Sequence, residues 1–411
     1  MQVTSLKLEH FRNYASLAIE PGPGLNIFVG LNAQGKSSLL ESLYLLATSK
    51  SSRASKDTEL IRFGAAQTCV SADIVRAKNS DIEIELTLSL SEKKAARING
   101  VKHTRLAEVI GQLNAVLFDS GDLEIIRGEP SVRRRFLDLE ISQTSPRYVL
   151  ALGAYRKTLE QRNRLLRDLR DGHAPVSARQ SLPAWNESLS QHGARLIERR
   201  RLFLDRLAQL ASETHSVLSD GRDTLEVAYL PSFALGDLTE ADAIQARFLE
   251  ELASVAGEEA ARGTTVRGPQ RDDIAFLVNG QDCRGFGSQG QQRTVALSLK
   301  LAERKLIEEL VGEPPLLLLD DVLSDLDDAR RRLLFDLTAE AGSQTFLSCT
   351  NLRAFSPGVL ERAAVYTVTA GEVVRTHPQP PPPWGGGGVE NQGFLLADGP
   401  FPPGEGVGGG C

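Results

Sequence analysis

Gly30 to Ser37 reads GLNAQGKS, in which Gly30, Gly35, Lys36 and Ser37 fit the pattern GxxxxGK[ST]. Glycines at these spacings let backbone N–H groups turn inward around phosphates. The lysine reaches the terminal phosphates, and the Ser37 hydroxyl can ligate Mg²⁺. The pattern has meaning only between a strand and a helix. Leu25 to Val29 is a short apolar run that reads as the strand, and Ser38 to Leu46 carries an apolar face at helical spacing. Far downstream, Leu316 to Asp327 reads LLLLDDVLSDLD. Its leucines predict a strand buried on both faces, ending at Asp320 where the same Mg²⁺ would sit. The chain is expected to bind a nucleotide.

Just ahead of that strand, Ser288 to Gln291 reads SQGQ. Standing alone it is a polar helix cap. In this position it resembles the signature turn of ATP-binding-cassette ATPases, which opens a helix whose N-terminus favours a γ-phosphate through its free N–H groups and its dipole. The resemblance implies that Ser288, Gln289, Gly290 and Gln291 face ATP held by a second subunit, so that the site is complete only in an ATP-dependent homodimer. It also implies that Asp320 holds Mg²⁺ and that Asp321 stands where the class usually has a catalytic Glu. Ser324, Asp325 and Asp327 would belong to a loop that crosses the dimer interface.

A chain of 411 residues can hold two or three domains, and a charged content of 24% is that of an ordinary globular protein. No apolar run approaches the roughly 20 residues of a membrane helix, so no membrane partner is expected. Cys69, Cys283, Cys349 and Cys411 form no CxxC pair, which argues against zinc and against a disulfide framework. With no export segment recognisable before VTSLKLEHF, a cytoplasmic location is the simplest expectation. The formal net charge of −6 does not advertise nucleic acid, but local patches govern steering more than the sum does.

Residues 1–125 read as mixed strand and helix. Asp81 to Leu90 alternates, with Ile82, Ile84, Leu86, Leu88 and Leu90 on one face. Asn99–Gly100 and Asn279–Gly280 are hairpin turns, expected to build an antiparallel layer beside a parallel sheet. Residues 126–263 turn Arg- and Leu-rich at helical spacing, with breaks at Gly172 to Pro175, Leu182–Pro183 and Pro231; they read as an inserted helical lobe. Residues 264–376 return to the sheet pattern. Residues 377–411 are Pro/Gly-rich and read as a disordered tail.

Further blocks point to one family. FRNY at Phe11 to Tyr14, the phosphate loop, GEPSVRRRFLD at Gly128 to Asp138, LEQRNRLL at Leu159 to Leu166, GPQRDDIAF at Gly268 to Phe276, SQGQQRT from Ser288 and LLLLDDVLSDLD resemble the RecF family. These are bacterial recombination-mediator ATPases related to the heads of SMC chromosome proteins. The match runs in order from about Leu6 to about Thr376. It implies an α/β ATP-binding-cassette-type fold of SMC-head kind, with an antiparallel layer, an inserted helical lobe and no long coiled coil. It implies ATP and Mg²⁺ as cofactors, slow hydrolysis, and binding to duplex, gapped or junction DNA. RecR with RecO would be partners in placing RecA at gaps.

Residue by residue, the resemblance makes Arg12, Asn13, Gly30, Asn32, Gly35, Lys36, Ser37 and Ser38 the nucleotide site. Lys36, Asp320, Asp321 and Thr350 form the catalytic set, and Ser37 with Asp320 the Mg²⁺ ligands. Thr350 stands where the class usually has His; a Thr can hydrogen-bond a phosphate or water but is no general acid. The class also has a Gln in the loop linking its lobes. FDSGDL at Phe118 to Leu123 has none, and Asp122 is read as the survivor of an acidic pair.

The helical lobe supplies candidate DNA contacts in Arg133, Arg134, Arg135, Arg162, Arg164 and Arg167, because guanidinium forks suit phosphate oxygens without reading sequence. The same arginines could pair with carboxylates, decorate a solvated face or brace the dimer interface or lobe junction. An aromatic content of 6% gives poor support for a base-stacking single-strand groove. Two other functions fit parts of the pattern. A transporter's ATP-binding subunit would carry the loop Gln and switch His, and a chromosome tether would need long heptad arms.

Overall fold

The computed structural model describes residues 1–77, 81–322, 331, 343–353 and 355–376, and the architecture refers to these. Its central sheet is built from β3 (Leu25–Val29), β8 (Ala115–Phe118), β12 (Leu316–Asp320), β13 (Thr345–Cys349), β14 (Ala364–Thr369) and β15 (Glu372–Thr376). The order is β15-β14-β3-β13-β12-β8, parallel throughout except for β15 at the edge. All of Leu316 to Asp320 are buried, as a strand covered on both faces requires.

The side-chain alternation of the strands sorts them between two cores. Phe28, Leu316, Leu318 and Phe346 face Leu39, Leu40 and Leu43 of helix α1 (Lys36–Thr48). Leu25, Ile27, Leu317, Leu319 and Leu347 share the opposite core with Leu297, Leu301 and Ile307. The first core extends to an antiparallel sheet of β1 (Gln2–Phe11), β2 (Tyr14–Ile19), β4 (Gln67–Val75), β5 (Ile82–Ser89), β6 (Ala95–Ile98) and β7 (Val101–His103), ordered β2-β1-β4-β5-β6-β7. Ile84, Leu86 and Leu88 point inward as their alternation predicts. Leu90 lies past the strand end and is 61% exposed. Asn99 and Gly100 both have positive φ, 50° and 75°, the backbone a two-residue hairpin needs.

Between β8 and β12 the chain is mostly helical: α2 (Leu123–Arg127), α3 (Pro130–Thr144), α4 (Pro146–Arg170), α5 (Leu182–Leu218), α6 (Ala241–Ser254), α7 (Ala256–Arg262), α8 (Cys283–Phe286) and α9 (Gln289–Val311). Pro183, expected at a break, stands in the first turn of α5, where its missing N–H costs nothing. At 37 residues α5 is the longest described helix. It spans roughly 55 Å, too short for a coiled-coil arm.

The Asn279–Gly280 hairpin corrects one expectation. It forms locally, with φ of 53° and 77°, but joins a separate three-stranded sheet of β9 (Leu225–Leu230), β10 (Asp273–Val278) and β11 (Gln281–Asp282). Ile274, Phe276 and Val278 pack with Leu196, Phe203 and Leu207 of α5, not in the layer beside the parallel sheet. Their inward face matches the apolar stripe of α5, and that burial decides the partner. The N-terminal half of α9 belongs to the same helical core through Val295, Ala296 and Leu299.

Candidate nucleotide-binding site

The phosphate loop leaves the C-terminal end of β3 and closes on the N-terminus of α1. Gly35 caps that helix with φ of 117°, a conformation L side chains rarely adopt. A Cβ there would stand 2.7 Å from Asn13 Nδ2 and 2.9 Å from the Tyr14 hydroxyl. The β1–β2 hairpin presses on the loop by design: Asn13 Nδ2 donates to Gln34 O (2.9 Å) and Tyr14 Oη to Gly35 O (3.0 Å). Burial holds the Tyr14 phenol protonated, well above its ordinary range. Gly30 is a second forced position, since a Cβ would meet Val368 O of β14 at 2.3 Å.

Lys36 is buried and folds back on the loop, donating to Gly30 O (2.8 Å) and Leu31 O (2.9 Å). Ser37 Oγ donates to Asp320 Oδ1 (2.8 Å), so the loop and the acidic strand meet although 283 residues separate them. Ser348 Oγ of β13 donates to the same oxygen (2.7 Å) and accepts from the Asp321 N–H (3.0 Å). Asp321 has φ of 53°, a strained backbone for an Asp at a strand end. Arg12 makes a bidentate pair with buried Glu41 (2.8 and 2.9 Å), and a third nitrogen donates to Glu59 O (3.0 Å). Arg12, Asn13, Asn32, Gly35, Lys36, Ser37, Ser38 and Asp321 all line one open cavity of about 800 Å³.

Five residues of that cavity, Ala33, Arg53, Glu59, Ile61 and Phe63, had no signal of their own in the sequence, and two of them bear on the chemistry. Arg53, from the segment after α1, sets Nη2 2.5 Å from Asp320 Oδ2. Phe63 stands at the cavity wall, fully exposed. The hard oxygens of Ser37 and Asp320 at the end of a parallel strand fit Mg²⁺, and the guanidinium of Arg53 marks the second Asp320 oxygen as a place for positive charge. Thr350 lies one residue past β13, exposed, with Asn351 Nδ2 3.4 Å from its hydroxyl; it is not among the residues lining the cavity. Ser324, Asp325 and Asp327, like the tail from 377 onward, fall outside the described residues.

The SQGQ turn lines no part of the cavity. Ser288 caps the 23-residue helix α9 in a reciprocal box, accepting from Gln291 N–H (3.2 Å) while Gln291 Oε1 accepts from Ser288 N–H (3.0 Å). Ser288, Gln289 and Gly290 are exposed. In the loop after β8, Asp122 Oδ2 accepts from the Asp119 N–H (3.0 Å) and Asp119 Oδ1 accepts from the Gly121 N–H (2.7 Å), so the two carboxyls fix the turn.

The arginines divide sharply. Arg133 is buried, its fork on Asp273 (2.6 and 2.9 Å). Arg162 is buried against Glu259 (2.5 Å), Thr265 and Asn186. Arg162 cannot reach a phosphate without leaving Glu259 unpaired inside the protein, and the buried Arg133 guanidinium is also held by Gly128 O (2.8 Å); these placements correct the reading of both as DNA contacts. Arg134 donates to Asp272 O (2.8 Å) within the helical lobe, whereas Arg135 reaches from α3 to Ser51 O (2.6 Å) beyond α1 and braces the junction between lobes. Arg164 and Arg167 stay exposed on α4.

The family model described as the RecF/RecN/SMC N-terminal domain matches residues 2–372. The chain belongs to the RecF family. It is 44% identical over 354 residues to the DNA replication and repair protein RecF of Symbiobacterium thermophilum, covering 86% of this chain and 92% of that one. A solved structure of the recombination mediator RecF with ATP, of the RecFOR pathway, superposes with a TM-score of 0.84 at 33% identity, covering 91% of this chain and 97% of that one. An Smc head domain from Pyrococcus furiosus, 17% identical with a TM-score of 0.51 over 92% of this chain and 96% of that one, shares the fold. The fold is thus that of an SMC-head-like ATPase.

Proposed function

We propose that this chain is a DNA replication and repair ATPase that binds Mg²⁺–ATP, dimerises on it and clamps duplex-containing DNA in the cytoplasm. It hydrolyses ATP slowly and, with RecO and RecR, helps place RecA at single-strand gaps. The carrying observation is the Ser37–Asp320 hydrogen bond (2.8 Å), which joins the cavity-lining loop to the buried carboxylate at the end of the acidic strand. The division at 125, 263 and 376 belongs to the same proposal.

In this reading Lys36 exchanges two backbone carbonyls for the terminal phosphates. Asn13 and Tyr14 keep the loop in the shape that aims its N–H groups inward. Arg12, steered by Glu41, borders the nucleotide. Bound Mg²⁺, held by Ser37 and Asp320, would neutralise developing phosphate charge. Asp321 orients the attacking water, its shorter side chain slowing the step, and Thr350 adds a hydrogen bond to water or phosphate. The exposed Ser288–Gln291 turn reaches a partner's ATP, with the Ser324–Asp327 loop across the interface. Among the arginines first read as DNA contacts, Arg164 and Arg167 remain available for backbone phosphates.

Sedimentation of wild type and Ser288→Arg with gapped duplex, plain duplex and single strand, in ATP and then ADP, tests the reading. Wild type should form an ATP-specific dimer on duplex-containing DNA, and Ser288→Arg should bind ATP yet remain monomeric. Dimers that form in ADP, or that ignore every DNA, would overturn it.

A further inference from the structure

Beside the exposed Arg164 and Arg167 of α4, the helical lobe holds a clustered group of arginines that the fold does not use. Arg127, Arg133, Arg156, Arg162, Arg170, Arg200, Arg206, Arg247 and Arg262 each face a carboxylate. Arg147 on α4 and Arg195 and Arg199 on α5 are exposed, and among the described residues no carboxylate lies within ion-pair distance of them. They converge on a single groove of about 530 Å³ between α4 and α5. The one acid in that groove, Glu198, is directed elsewhere: its Oε1 accepts from the Ala241 N–H at the start of α6 (3.1 Å).

Helical spacing explains the convergence. His192, Arg195 and Arg199 lie at i, i+3 and i+7 on α5, facing Arg147, Leu150 and Ala154 at the same spacing on α4. The floor between the guanidiniums is apolar. Leu150 is 49% exposed, and Leu202, next on the same stripe of α5, is 58% exposed. His192 Nδ1 is buried without a partner, and burial together with Arg195 depresses the ring's basicity.

We propose that this groove docks an acidic segment of a partner protein that also carries a Leu or Phe anchor. With Glu198 counted, the groove keeps an excess of two positive charges around a concavity, and an anion there relieves their repulsion. Carboxylates accept bidentate bonds from guanidinium forks. A duplex backbone would use the arginines but not the floor, because phosphate contacts need no apolar surface. A peptide carboxylate beside an apolar side chain uses both, covering Leu150 and excluding water from the ion pairs around it. The site is remote in chemistry from the nucleotide cavity, shares no lining residue with it, and stands or falls independently of the ATP reading.

The test starts with selection of a random dodecapeptide display library on the full chain without nucleotide. The enriched peptide, labelled with fluorescein, is then titrated by anisotropy into wild type, Arg195→Glu/Arg199→Glu and Leu150→Asp. A short blunt duplex is titrated in parallel with ATP present, and circular dichroism checks that the exposed substitutions leave the fold intact. Enriched sequences should combine Asp or Glu with Leu or Phe. Their affinity should fall at least about tenfold in both variants, as expected for losing charge-assisted contacts or a buried anchor, while duplex affinity stays unchanged. No acidic–apolar enrichment, equal binding to the variants, or a loss of duplex affinity alone would overturn the proposal; the last would make the groove a DNA contact.

Discussion

Lys300→Met probes the junction where the signature helix enters the ATPase lobe. Lys300 of α9 is buried, with Nζ 2.5 Å from Glu303 Oε2 and 5.5 Å from the Phe136 ring centre. Glu140 of α3 is buried beside them and accepts from Gln143 Nε2 (2.7 Å). Burial pushes both glutamates up, with each other's charge adding for Glu303 and Lys300 opposing. Asp122 is pushed up to about 8, first by desolvation. Lys300 thus supports one ionised carboxylate in a low-dielectric pocket, Glu140, while Glu303 is pushed well above its ordinary value and favours the protonated form. Without it that carboxylate must take up a proton to stay buried. From the ordinary Glu value of 4.5, this costs about 3.4 kcal/mol at pH 7 and about 2 kcal/mol at pH 6, at 1.36 kcal/mol per pH unit. Removal of one member of a buried pair typically costs about 3–5 kcal/mol, in the same range. The sign follows from linkage: the folded variant binds one more proton than wild type, so its deficit grows as pH rises. Urea unfolding of both proteins between pH 6 and 8 measures it. Adding Glu140→Gln to the variant should remove most of the deficit and flatten its pH dependence, because the hydrogen bond with Glu303 favours charge on Glu140 and the proton on Glu303. A deficit below about 1 kcal/mol, or one constant across that window, would refute a charge-compensated junction.

Gly30→Ala should destabilise the chain by about 2 kcal/mol and abolish ATP binding in a filter assay, because its Cβ would stand 2.3 Å from Val368 O; normal binding would show that β14 yields freely. Arg162→Met should cost about 3–5 kcal/mol in denaturant unfolding by stranding Glu259, yet leave the duplex affinity of the folded fraction unchanged. A specific loss of DNA affinity at full stability would return Arg162 to the DNA surface.

The nucleotide edge was legible because its constraints are local. The glycine spacing fixes the loop's backbone, and an uninterrupted leucine run can only be a strand covered on both sides. Motif order then implied that Ser37 and Asp320 meet. Arg53 was not legible: a single arginine in a Ser-rich segment has the same sequence signal whether it faces solvent or Asp320. The Asn279–Gly280 turn was read correctly as a turn and placed in the wrong sheet. Turn chemistry is set by two residues, whereas sheet membership depends on which apolar face meets Ile274, Phe276 and Val278.

The arginine-rich lobe shows why charge composition alone misleads about partners. Arg133 finds Asp273 across 140 positions, and Arg162 finds Glu259 across 97. No window of sequence contains both members of either pair, so each arginine looks unpaired until the chain folds. Once folded, Arg162 is committed, because withdrawing it to bind a phosphate leaves Glu259 charged in the interior at a cost several surface contacts could not offset, and Arg133 is itself enclosed. The density of arginines therefore reports mostly how α3, α4 and α5 are held to β10 and α7. Only the residual set, those exposed and without a carboxylate, bears on recognition. That set is small, and three of its members share one groove with an apolar floor. A surface that bound only DNA backbone would gain nothing from Leu150 at its centre.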